Sequence, residues 1–207
     1  FLVGTNREIQ ILVNLGKNSK NPSHANFFEA AFFNKTYSVT KQSIYTKIQS
    51  LINNSYFYNF ITKPSTIDLE KELNSKKLII FNLSKGKLSG QISEAIGKMI
   101  VAQIKSIALK RANINIEKRV PVHLFIDEFQ NYISPSIESI LTEARKYKLY
   151  LTAACQILGQ NTGQQLKEVI LSCTNIKITG KNSTKTLGAM SKECGMDIQK
   201  MQNLNIG

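Results

Sequence analysis

From Lys63 onward, four short apolar runs recur at residues 78–83, 122–126, 149–154 and 175–179, with helix-length intervals between them. That order limits the fold more than any other property of the chain. A strand, a helix and a second strand join as a right-handed crossover, and repeated units lay their strands parallel. The run 78–83 has the unbroken apolar character of a strand covered on both faces, and residues 84–87 end it. Behind it, Ile92, Ala95, Ile96, Met99, Ile100, Ile104 and Ile107 trace one face of a long helix. A polar link over 111–121 leads to strand 122–126. Ser134 and Pro135 read as the cap and first residue of a helix that turns Ile137, Ile140, Leu141 and Ala144 inward. Two further helices are expected at 164–171 and 184–194, on either side of strand 175–179. The expected class is α/β, a parallel sheet flanked by helices.

Residues 1–62 differ in character. They hold 11 of the 17 Phe and Tyr residues and no compelling strand. A helix is predicted over 39–52, with Ile44, Ile48, Leu51 and Ile52 on one stripe, and another over 24–33; residues 16–22 read as a loop. The simplest reading is a small packed all-helical subdomain rather than a platform for stacking bases. The division expected is therefore 1–62 and 63–207.

Apolar residues make up 42% and charged residues 20% of the chain, which excludes a disordered tail. The formal charge is +13, and the 27 Lys and Arg are spread over both regions. Such an excess favours polyanion partners, nucleic acid or an anionic membrane surface, although a basic-biased proteome gives the same number. Cys155, Cys173 and Cys194 are odd in number and form no C-x-x-C, so neither a disulfide framework nor a thiol zinc site is indicated. A reduced, cytosolic-type setting is expected. Only two histidines, His24 and His123, are present, and no apolar run approaches the ~18 residues that cross a bilayer. No signal peptide is visible, and a start at Phe1 is consistent with a piece of something longer.

In a parallel sheet, ligands bind beyond the carboxyl ends of the strands. The second run ends in Ile126-Asp127-Glu128-Phe129-Gln130. An apolar strand delivering two adjacent carboxylates has the form of a Walker B element, one acid supporting Mg²⁺ through its water shell and the next polarising the water that attacks a γ-phosphate. A solvated strand end is the ordinary alternative. The third run ends in Ala154-Cys155-Gln156, where a glutamine is placed to hydrogen-bond a phosphate or the attacking water. Arg145, in the basic stretch 145–148 at a helix end, suits the helix dipole; its functional reading is contact with a neighbouring subunit's phosphate or a DNA backbone. Cys155 is expected as a buried small residue and His123 as a packed one. The phosphate-cradling pattern G-x-x-x-x-G-K-[ST] is absent: Gly16, Gly86, Gly97 and Gly180 precede lysines, but none has a glycine five residues earlier. Either that loop lies upstream of Phe1, or no nucleotide site is complete.

The blocks Val122-His123-Leu124-Phe125-Ile126-Asp127-Glu128-Phe129-Gln130-Asn131-Tyr132, Leu141-Thr142-Glu143-Ala144-Arg145-Lys146-Tyr147 and Ala154-Cys155-Gln156 resemble the second half of TraG/TraD-type coupling-protein ATPases of conjugation and type IV secretion. These belong to the HerA–FtsK group of DNA-pumping motors. The similarity covers roughly residues 63–207. It implies a RecA-like fold lacking its P-loop strand, ATP and Mg²⁺ as cofactors, and a homo-hexamer that moves DNA in company with type IV secretion or relaxosome components. Asp127 and Glu128 would carry the Walker B roles, Asp127 toward the metal, and Gln156 the sensor role beside the nucleotide. Arg145 would reach phosphate or a neighbouring subunit. Residues 1–62 would correspond to the helical domain inserted after the P-loop strand. The implied location is cytoplasmic, at the inner face of the membrane, with the anchor in a segment absent from this chain.

Overall fold

A computed structural model describes residues 5–156 and 163–203. The chain divides into two compact units, one running to Pro64 and the other beginning at Ser65. The first is helical throughout: α1 (Asn6–Lys17), α2 (Pro22–Asn26), α3 (Ser38–Ile52) and α4 (Ser55–Thr62), with a π turn at Phe27–Ala31. Thr5 and Glu8 close a capping box at the start of α1. The Thr5 N–H, then its hydroxyl, hold the Glu8 carboxyl below its usual range. The centre of this unit is aromatic: Phe28 stacks on Phe32 at 5.1 Å, and Phe27 meets Phe28 edge-on at 5.3 Å. Gly16 lets the Phe28 ring lie against α1, for an added Cβ would stand 2.0 Å from that ring. Phe32 is buried in this group, and Phe27 and Phe28 are half-buried. α3 forms where its stripe predicts, yet none of its residues is buried.

The second unit comprises α5 (Leu69–Asn74), α6 (Gly90–Lys110), β1 (Val122–Ile126), α7 (Pro135–Glu143), β2 (Leu149–Ala153), α8 (Gln164–Cys173), α9 (Thr184–Cys194) and α10 (Ile198–Gln202). β1 and β2 pair in parallel, Val122 beside Leu149 and Ile126 beside Ala153. The crossover between them is α7, whose Ile137 and Ile140 are buried, followed by a 3₁₀ turn at Ala144–Tyr147. α6 buries Ile92, Ile96, Ile100, Ile104 and Ile107, four or three residues apart, as an amphipathic helix requires. Met99, expected on that face, is 40% exposed. Leu187, Met190 and Met201 close a separate small core between α9 and α10.

Two of the four expected strands are not formed. Residues 78–83 and 175–179 have no strand assignment, and Leu78, Ile80, Ile176 and Ile178 are each at least 79% exposed. Apolar, β-branched composition supplies a preference for extended chain, but a strand exists only through a neighbour that takes its backbone hydrogen bonds. The described sheet is therefore two-stranded, and one face of it is open: His123, Phe125 and Tyr150 are exposed, and His123 stacks on Tyr150 at 5.2 Å. The α/β character stands at this smaller scale. Ser134 also departs from expectation. It occupies the cap position before Pro135, but its hydroxyl caps nothing and is buried without a partner.

What fixes the carboxyl end of β1 is its grip on α6. Gly97 allows the Tyr132 ring to approach so closely that a Cβ there would fall 2.3 Å from Cε1. Ser93 donates to Leu83 O at 2.6 Å and lies 3.4 Å from the Tyr132 hydroxyl, and Lys85 Nζ donates to Asn131 Oδ1 at 3.1 Å. At the other end of the strands the buried Arg111 donates to Val120 O, Tyr147 O and Asn74 Oδ1. It thereby anchors the residues entering both β1 and β2. Burial lowers the Arg111 pKa, while Glu70 opposes that shift.

Candidate functional site

The parallel ladder continues past the last strand residues: Ala154 N donates to Ile126 O and Phe129 N to Ala154 O, both at 2.9 Å. These bonds carry the two segments side by side past the strand ends, so that Gln156 arrives beside Glu128. Asp127 is exposed, and its Oδ1 accepts the Glu128 N–H at 2.9 Å. Glu128 takes the left-handed conformation, φ 49 and ψ 41, unusual for a non-glycine residue. That conformation breaks the strand and turns the two acids away from its alternating pattern. The next turn, Phe129–Asn131, is buried and fixes the angle of departure.

Both oxygens of Glu128 are engaged. Gln156 Nε2 donates to Oε1 at 2.7 Å, and Gln130 Nε2 donates to Oε2. Asn182 Nδ2 in turn donates to Gln156 O at 2.8 Å, linking the site to the start of α9. Cys155, expected to be buried, is exposed. Its thiol pKa is nonetheless raised, first by partial desolvation and then by the charge of Glu128.

The structure thus brings Asp127, Glu128 and Gln156 together at the carboxyl end of two parallel strands. It leaves Arg145 apart. That residue sits in the turn before β2, at the opposite edge of the sheet, a five-residue strand or about 16 Å away. Gln130 and Asn182 belong to the site although neither residue type nor spacing points to them; only the left-handed turn at Glu128 and the ladder past Ala154 bring them in.

The donor set has a defined chemistry. Among the described residues no three His, Cys, Asp or Glu side chains gather around one point, so no all-protein metal cage is present there. A single exposed carboxylate with a free oxygen fits Mg²⁺, which keeps waters and is completed by phosphate oxygens. The cradle for those phosphates has no counterpart in the sequence. The residues present fit the metal and water end of a nucleoside triphosphate, not its phosphate-gripping end.

Fold and site together define an α/β unit with paired acids at the rim of a parallel sheet. Residues 121–205, less than half of the 207-residue chain, match the family described as the TraM recognition site of TraD and TraG. The match relates this part of the chain to TraG/TraD-type conjugation coupling proteins, and it contains Asp127, Glu128, Arg145 and Gln156. Comparisons with curated proteins and with solved structures gave no match.

Proposed function

We propose that the chain is part of an ATP-driven motor that translocates DNA in conjugative transfer or type IV secretion, a coupling-protein-like ATPase of RecA-like fold. The observation that carries this reading is the convergence of Asp127, Glu128 and Gln156 beyond the carboxyl ends of β1 and β2. Asp127 would hold Mg²⁺ through its exposed oxygen, and bound Mg²⁺ supplies neutralisation of phosphate charge. Glu128 accepts a proton from the attacking water. Gln156, already hydrogen-bonded to that acid, reports whether the nucleotide is present. The motor reading requires a phosphate-cradling loop that these residues do not carry, and it sets the motor at the cytoplasmic face of a membrane. Assembly as a homo-hexamer gives Arg145 its role: at the far edge of the sheet it serves a neighbouring subunit rather than its own site.

A second reading draws on the description of the matched family. Residues 121–205 then act as a recognition surface for a TraM-like relaxosome component, in a non-catalytic DNA-binding or assembly module. A motor acting on protein rather than DNA is a third variant.

Hydrolysis of ATP by the full polypeptide, measured with and without DNA, separates them. The motor reading expects DNA-stimulated turnover. Glu128→Gln should reduce it by at least ~100-fold while nucleotide binding is kept, the usual scale for loss of a general base. Unchanged hydrolysis removes Glu128 from the mechanism, and absent hydrolysis favours the assembly module.

A further inference from the structure

We propose that Gln130 is a positioning residue for Glu128, the fixed half of an amide clamp whose movable half is Gln156; the proposal rests on Glu128 being the hydrolytic base. The clamp is visible in the donors: one glutamine amide on each carboxylate oxygen, from two different chain segments. Each oxygen accepts about two hydrogen bonds, so each keeps a site for a water after its amide is counted. The acid is therefore aimed without being saturated.

The two halves differ in how they are held. Gln156 is exposed, and Asn182 ties it through its backbone oxygen alone, which leaves its side chain able to rotate toward another acceptor. Gln130 is 7% exposed, between Phe129 and Asn131, which are 3% and 9% exposed, and the Asn131 side chain is pinned by Lys85. When Gln156 leaves Glu128 for a phosphate or its water, Gln130 keeps the acid in place. Without it, the left-handed Glu128 has no second restraint on its carboxylate.

The orphan end of the same amide argues for function over packing. Gln130 Oε1 is buried with no partner. A glutamine kept for stability would satisfy both ends, since an unmet buried acceptor destabilises the fold. Here one end is left unmet and the other is given to a carboxylate. Replacement by leucine removes the orphan acceptor, so a positioning role expects the fold to keep its stability while turnover falls.

Two measurements on the full polypeptide test this. In the first, side-chain amide resonances of ¹⁵N-glutamine are assigned by their loss in Gln130→Leu and Gln156→Leu, and then compared with Glu128→Ala. Both should move when the acid is removed; an unmoved Gln130 amide overturns the clamp whatever the activity. In the second, Gln130→Leu should lower kcat for ATP by about tenfold or more, a part of the 10²–10⁴ that a general base supplies. KM and Tm should be unchanged. An unaltered kcat beside active wild type overturns the positioning role and leaves the ATPase reading intact. A lowered Tm makes Gln130 a packing residue and also overturns the role. Wild type without hydrolysis overturns the reading beneath it, and the positioning role falls too.

Discussion

Glu128 concentrates several constraints in one residue: a left-handed backbone, two amide donors, and an adjoining acid whose oxygen accepts its own N–H. Backbone in that region costs roughly 1–3 kcal/mol and persists only where neighbours impose it. The buried turn Phe129–Asn131 and the continued ladder to Ala154 are those neighbours. The charge of Glu128 has a measurable reach, because it is one of two causes that raise the Cys155 pKa. A raised thiol pKa means less thiolate at neutral pH and slower alkylation. Removing the negative charge relieves the smaller cause and leaves desolvation in place. Glu128→Gln should therefore lower the Cys155 pKa and speed its reaction with iodoacetamide at pH 7.5. The measurement uses a Cys173→Ser, Cys194→Ser background, since both other thiols are exposed. An unchanged rate would place Glu128 too far from the sulfur to matter.

Among the elements, Arg111 does the most for the geometry of the sheet. Its guanidinium donates to carbonyls before each strand and to Asn74, from a position only 4% exposed. Arg111→Met leaves the half-buried carbonyls of Val120 and Tyr147 without their donor, at about 1–3 kcal/mol for each acceptor left unmet, so a loss of roughly 2–4 kcal/mol is expected in urea denaturation. Arg119 makes as many bonds, to Ile114 O, Ala112 O and Lys146 O, but at the surface, where water replaces them. Arg119→Met should cost under about 1 kcal/mol, and equal losses would deny burial its part. Arg111 sits in what reads as a polar link, and nothing in the order of residues distinguishes it from Arg119. The elements legible in the sequence are those whose pattern is sufficient for the structure: α6 from its isoleucine spacing, β1 and β2 from runs that find each other. Residues 78–83 and 175–179 have the same kind of composition without a paired neighbour, and pattern alone cannot supply one. The site was legible at Asp127, Glu128 and Gln156 because strand ends are where parallel sheets hold ligands. Gln130 was not, because a left-handed residue leaves no periodic trace.

On the scale of the whole chain, charge is the property that no single contact explains. Among the described residues four lysine–glutamate pairs engage four of the fourteen acids, all with partly exposed side chains. Exposed pairs of this kind contribute little to stability, and the cations far outnumber them. Residues 1–62 carry six Lys or Arg against two Glu, and 63–207 carry 21 against 12 acids, so neither unit alone accounts for the balance. For the proposed DNA partner this gives a quantitative expectation. Each phosphate neutralised on duplex DNA contributes about −0.9 to the slope of log K against log salt, and about −0.7 on a single strand. Five phosphate contacts would then weaken duplex binding by roughly 500-fold between 50 and 200 mM salt, and single-strand binding by roughly 100-fold. Fluorescence anisotropy of the full polypeptide on labelled duplex and single-stranded oligonucleotides measures both slopes. A slope near zero on both would remove phosphate contact as the mode of binding. The motor reading would then be left to the protein-directed variant, in which the same acids drive a different cargo.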